Sequence, residues 1–269
     1  MKQLTAPALI LAGLCLPGCG DDDDATPDLR EERVAGETGT LAGRLVSTFA
    51  TLNERGEITE VGVTLPRAAI LDTAMEETVI AHFPSQSVDQ TGFDHLQLGF
   101  LPHGHPPAFW EVPHFDIHYH RVSVATREGI DCNAEPMPAV DRLPEGYVIP
   151  GTGPEPEGSC VPAMGIHAHD ASSPEVAGSK PFDETMILGY HGGELTFIEP
   201  MVTKERLETT ENLDRAIPAP ARLADPARFA TRFTMTHLAE GDSYELVISD
   251  FENIEEARGT SRNMETVSP

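Results

Sequence analysis

"ETMILGYHGGELTFIEPMVT", residues 184–203, reads as two strands folded about a Gly-Gly turn at Gly192 and Gly193. Two apolar, β-prone runs joined by residues that tolerate positive φ make a hairpin signal. The pattern recurs on both sides. Upstream, residues 41–52 and 58–65 are β-prone runs split by the turn-forming "NERGE", and "ETVIAHFP" (77–84) and "GFDHLQLGF" (92–100) read as further strands. Downstream, "FATRFTMTHL" (229–238) and "SYELVISDF" (243–251) make a last pair. Helical patterning is confined to "RAAILDTAM" (67–75), started by Pro66, and to the polar "KERLETTENLDRA" (204–216), ended by Pro218. The expectation is an α+β fold, mainly antiparallel sheet with a few short helices. Residues 39–254 form a single globular domain, and residues 133–162, rich in Pro and Gly, make a long irregular excursion.

The most unusual stretch lies between these strands. "HGHPPAFWEVPHFDIHYH", residues 103–120, holds five of the eleven histidines. From His114 onward it alternates, and successive side chains of a strand point to opposite faces. His114, Asp116, His118 and His120 therefore share one face, while Phe115, Ile117 and Tyr119 face a core. Residues two apart on such a face are separated by about 6.5 to 7 Å at Cα, close enough for two imidazoles to lean onto one ion. Upstream, His103 and His105 flank Gly104 on a loop stiffened by Pro106 and Pro107. A loop folding back over the strand brings His103 or His105 above His114 and His118, giving three or four nitrogen ligands, with Asp116 as a further ligand or as a group orienting a ring. Such a set suits a transition-metal ion (Zn, Fe, Mn or Cu) and not Ca or Mg, which take oxygen. His120, at the strand end before Arg121, reads as a surface histidine. His82, His95 and His237 read as structural; His167, His169 and His191 read as solvated loop histidines, with completion of a site in three dimensions as the alternative; and Glu199, before Pro200, reads as a turn cap, with a base as the alternative.

The N-terminus supplies an address. Lys2 precedes the apolar run 4–16, which is too short for a membrane span and fits a secretory signal over residues 1–18. Cys19 follows Leu16, Pro17 and Gly18, a pattern that resembles a bacterial lipobox, with Pro17 departing from it. Acylation at Cys19 would anchor the chain to a membrane through lipid, and cleavage as a soluble protein is the alternative. Gly20 favours the outer membrane or periplasmic face. Residues 19–38, opening on Asp21–Asp24, read as an acidic flexible tether, and residues 255–269 as a polar tail. The net charge of −26, or −27 once Lys2 is removed, repels nucleic acid and excludes it as a partner. In an oxidising compartment Cys132 and Cys160 pair as a disulfide. The competing reading makes Cys160 a metal ligand beside His167 and His169.

Four segments together, "PHGHPPAFWEVPHFDIHYH", "PMPAVDRLPEGYVIPGTG", "MGIH" and "FIEPMVT", resemble a bacterial envelope family with a domain of unknown function. A sigma-E-regulated envelope protein of Thermus belongs to it. The resemblance covers residues 38–252 and matches His103, Gly104 and His105 to an Asn/His-Gly-His segment, and His114, Phe115, Asp116 and His118 to a His-Phe-Asp-x-His core. It implies an envelope or stress role and no particular reaction. Three functions follow from the residues: an extracytoplasmic transition-metal binder, a cupin-like metalloenzyme (oxygenase or hydrolase), and a metal-free structural envelope protein with its histidines in a core or a homo-oligomer interface. The residues contain no Gly-x-Ser-x-Gly elbow, phosphate loop, dinucleotide fingerprint or Cys-x-x-Cys pair.

Overall fold

Strand β1 (Glu32–Leu41) turns at Ala42 and Gly43, both at positive φ, into β2 (Arg44–Leu52), so the expected run 41–52 is split at its start. The "NERGE" turn then leads into β3 (Ile58–Pro66), antiparallel to β2 as expected. Pro66 precedes α1 (Arg67–Asp72), and β4 (Glu77–His82) is joined to β5 (His95–Leu101) by α2 (Ser85–Thr91). After β6 (His114–His120) come α3 (Val124–Glu128) and the short strands β7 (Tyr147–Val148) and β8 (Cys160–Val161). The chain continues through β9 (Gly165–Asp170), β10 (Glu184–His191), β11 (Glu194–Thr203), α4 (Lys204–Thr209), β12 (Asn212–Ala216), β13 (Ala227–Leu238) and β14 (Ser243–Ile254). This computed structural model describes residues 31–150, 160–223 and 227–254. The expected signal segment, Cys19 and the tail 255–269 lie outside the described residues.

The strands form two sheets, and every pairing is antiparallel. The first has the order β1-β2-β3-β14-β13-β12; the second runs β4-β5-β6-β11-β10-β9-β7, with β8 added beside β9. One apolar core joins them: Val46, Val61 and Val63 from the first meet Leu96, Leu98 and Ile117 from the second, all within 1 % of fully buried. Each such side chain contributes about 1.5–3 kcal/mol relative to leaving it in water. The Tyr119 hydroxyl donates to the Leu246 carbonyl at 2.9 Å, tying β6 to β14 across this core. The α+β, mainly antiparallel expectation holds. No described helix is long and apolar enough to cross a membrane.

Two boundaries need correction. The sheet begins at Glu32, inside the expected tether 19–38. Strand β1 is an edge strand with only Leu41 fully buried, so it lacks the apolar alternation by which strands are recognised. The helix expected over residues 204–216 stops at Thr209. Thr203 caps its start, its hydroxyl accepting from the Arg206 amide at 3.2 Å, but residues 212–216 pair with β13 instead. A polar sequence with one buried anchor, Leu213, carries too little periodicity to distinguish helix from edge strand.

Cys132 and Cys160 form a disulfide with Cα atoms 5.8 Å apart, which ties the irregular excursion at its ends and removes Cys160 as a thiolate ligand.

Candidate metal centre

All seven residues of β6 are buried, so both faces of the second sheet are covered. Phe115, Ile117 and Tyr119 enter the inter-sheet core. The opposite face lies under loops and carries a second apolar cluster of Trp110, Phe182, Ile187, Phe197 and Met201. His114, Asp116, His118 and His120 lie on this outer face, and none is more than 7 % exposed. Alternation thus places these four as expected, but His120 is fully buried and not at the surface. Its ring stacks between those of His95, at 4.5 Å, and His118, at 5.3 Å.

The loop 102–113 folds back over this face, as its Gly and Pro residues suggested. Gly104, at φ +64°, permits the crossing, because a Cβ there would meet the Trp110 carbonyl oxygen at 2.0 Å. The loop delivers His105 and not His103. The Nε2 of His105 lies 3.7 Å from Oδ2 of Asp116, and Nε2 of His114 lies 3.1 Å from Oδ1 of the same carboxylate. His103 stays exposed in an open cleft of about 610 Å³ lined also by Pro102, His105 and Glu111. It joins neither of the ligand groups found among the described residues.

His118 does not converge on that group. Its Nε2 lies 3.2 Å from Oε1 of Glu199, whose Oε2 is 3.9 Å from Nε2 of His167. The register explains the pairing. On both sides of Glu199 and Pro200 the β6–β11 register is the same, which sets Glu199 opposite His118. Pro200 has no amide hydrogen, and the ladder is interrupted at these two residues. His167 comes from β9, two strands beyond, in register with Gly189 of β10. Gly189 leaves room for the Phe197 ring between them, since a Cβ there would meet that ring at 1.9 Å.

The single nitrogen-rich site expected from His103, His105, His114 and His118 is therefore two sets of three, His105–His114–Asp116 and His118–His167–Glu199, each with ligand atoms within 4.8 Å of one another. Glu199 is not a turn cap but a buried mid-strand carboxylate, and His167 is on a strand and not in a solvated loop. The signal for His167 was present: in "GIHAHD" His167 and His169 are two residues apart, as His118 and His120 are. Pro200 masked Glu199, because proline argues against a strand interior.

Three of the four ring ligands are oriented from behind. The Nδ1 atoms of His105, His114 and His167 lie 2.8, 2.8 and 3.1 Å from the carbonyl oxygens of Pro106, Val112 and Gly165. A carbonyl only accepts, so each Nδ1 carries the hydrogen and donates. In the neutral ring Nε2 then presents its lone pair towards a carboxylate. Two acceptors face one another unless a second proton or a metal ion lies between them. A backbone carbonyl holding the remote nitrogen is also how metal-bound histidines are commonly fixed. Tetrahedral bonds of about 2.0–2.1 Å put ligand atoms about 3.3 Å apart, and the separations here span 3.1 to 3.9 Å.

The charges around the two carboxylates are unusual. Among the described residues, the ion-pair partners of Asp116 and Glu199 are all histidines. Burial alone would raise Asp116, but contact with His114 and the charges of His118, His114 and His105 outweigh it and hold the carboxyl below its ordinary value. Burial, and then the charge of Asp116, push Glu199 well above the usual carboxylate range. Burial drives His118 down to about 3 despite the pull of Asp116, and His120 well down for the same first reason. Without a cation, His118 and Glu199 favour their neutral forms.

No protein-family model matches this chain, and no curated protein or solved structure matches it.

Proposed function

We propose that the chain is an extracytoplasmic, lipid-anchored envelope protein that holds a transition-metal ion at His105, His114 and Asp116. The observation that carries the reading is the orientation of His114. Its Nδ1 is committed to the Val112 carbonyl, and its Nε2 is aimed at Asp116 Oδ1 3.1 Å away, where neither atom finds a well-aligned hydrogen bond. His105 repeats the arrangement from the loop side, so three ligands meet from a strand and a loop stiffened by Pro106 and Pro107. Two imidazoles and one carboxylate suit Zn(II) or Fe(II) first, with Mn and Cu as competitors. The lipid anchor rests on the signal-like residues 1–18 and Cys19, and the envelope role on the family resemblance.

A metalloenzyme is the second reading, favoured by the open cleft beside His105. Three protein ligands leave a coordination position for water, dioxygen or a substrate, and that position would face the cleft. Elemental analysis of untagged protein tests the first reading. Near-stoichiometric Zn, Fe, Mn or Cu in the wild type, reduced in His114→Ala and retained in His237→Ala, is expected. A wild type that takes up no metal even after reconstitution would leave the metal-free structural reading in its place.

A further inference from the structure

We propose that His118, His167 and Glu199 form a second transition-metal site, closed inside the same sheet face, so that each chain holds two ions in unlike surroundings. The first group opens to the cleft through His105, whose side chain is 32 % exposed. Among the described residues the second is more enclosed: the side chains of His118 and Glu199 are 2 and 3 % exposed, and His167, at 18 %, is the ligand nearest the surface.

Two independent observations point to a ligand there. Three potential ligand atoms converge from β6, β11 and β9, strands brought together only by the sheet order. Within the convergence, Nε2 of His118 and Oε2 of Glu199 are buried without a hydrogen bond. Buried polar atoms are nearly always satisfied, and leaving one without a hydrogen bond is costly. A divalent cation between these atoms would satisfy both at once and bring Glu199 to its charged form. The donor set, two imidazole nitrogens and a carboxylate, selects the same borderline cations as the first group.

The two groups are neighbours, since Asp116 and His118 are two residues apart on one face of β6, about 6.5 to 7 Å at Cα. They share no ligand. Each can therefore fill or empty by itself, and burial predicts that they exchange at different rates. The ion beside the cleft should leave quickly to a chelator. The ion held by His118, His167 and Glu199, beside the Phe197 ring, should leave slowly.

The test uses full-length mature protein without a tag, stripped of metal and titrated with Co(II), whose visible bands report ligand type and number. About two equivalents should bind, and a colorimetric chelator should then remove them in a fast and a slow phase. Glu199→Gln should lose the slow phase and keep the fast one, while His105→Ala should do the reverse. Should Glu199→Gln fail to fold by circular dichroism, His167→Ala decides, because that ring lies at the rim. A single equivalent in the wild type, retained in Glu199→Gln and lost in His105→Ala, would overturn the second site and leave the first intact. Two equivalents with the slow phase unchanged in His167→Ala would also overturn it. Loss of the fast phase alone in the wild type would instead count against the site at His105.

Discussion

Oε1 of Glu199 lies 3.2 Å from Nε2 of His118, the two facing one another across neighbouring antiparallel strands and both nearly shut from water. Opposed residues on antiparallel strands have Cβ atoms about 4.5–5.5 Å apart, near enough for a carboxylate and an imidazole to meet without distortion. Burial raises the carboxyl and depresses the ring, so the pair by itself prefers to be uncharged. A metal ion reverses that preference at Glu199 and should displace its proton.

Metal should accordingly stabilise the fold, and stripping it should do the reverse. At a free concentration about one hundred times Kd, binding to the native state alone contributes about 2.7 kcal/mol, or about 5 to 10 °C in melting temperature for a domain of this size. Differential scanning calorimetry of stripped and reloaded protein measures the difference. An unchanged melting temperature on adding Zn(II) or Fe(II) would mean that no native-state site is filled.

The metal-free protein should lose stability in acid. Burial depresses His118, His120, His95 and His169 below their ordinary values. Each therefore favours the fold fully above the unfolded value near 6.5, and that contribution is lost as pH falls towards the folded value, about 3 for His118. Glu199, raised by burial, works in the opposite sense: its contribution is complete below about 4.5 and fades as pH rises through its folded value. Four depressed histidines outweigh one raised carboxyl, so urea midpoints of the stripped protein should fall between pH 7 and pH 4. A flat profile would show that the rings are solvated.

The disulfide should matter independently of any metal. Cys132 and Cys160 are 28 positions apart, and closing such a loop stabilises by about 3 to 4 kcal/mol in the chain-entropy account. Thiol labelling of denatured, unreduced protein should find neither cysteine free. Replacing both by serine should lower the urea midpoint by a corresponding amount.

Gly189→Ala should couple packing to metal retention. The added methyl meets the Phe197 ring, which also touches the rings of His118 and His167 at 4.9 and 5.2 Å between centroids. Overpacking of this kind costs about 1–3 kcal/mol, and displacement of Phe197 should loosen the more buried ion. Gly43→Ala, at a position open to solvent, is the control for the chelator experiment. Its φ of +68° makes a backbone penalty the expected effect, with no change in metal release.

Localisation has a direct test in Cys19→Ser. Fractionation should find the wild type with the membranes and the variant either released from them or accumulated unprocessed. Wild-type protein wholly soluble in the periplasm or the medium, with an N-terminus beyond Cys19, would end the lipid-anchor proposal.

Local physics made much of this molecule legible before any fold was known. Turn chemistry at Gly192–Gly193 and "NERGE" marks hairpins, because positive φ and short polar loops are local properties. Period-two alternation in "HFDIHYH" put His114, Asp116 and His118 on one face, because strand geometry requires it. Alternation cannot say what lies opposite. Tertiary structure alone decided that Glu199 faces His118, that His167 reaches the same carboxylate from β9, and that the loop supplies His105 and leaves His103 in the cleft. It also buried His120, since its exposure depends on His95 and Phe197 and not on its place at the end of a strand. The reason is that a strand carries its own face in its sequence, whereas partners across a sheet are set by register and strand order, which depend on the packing of the whole chain.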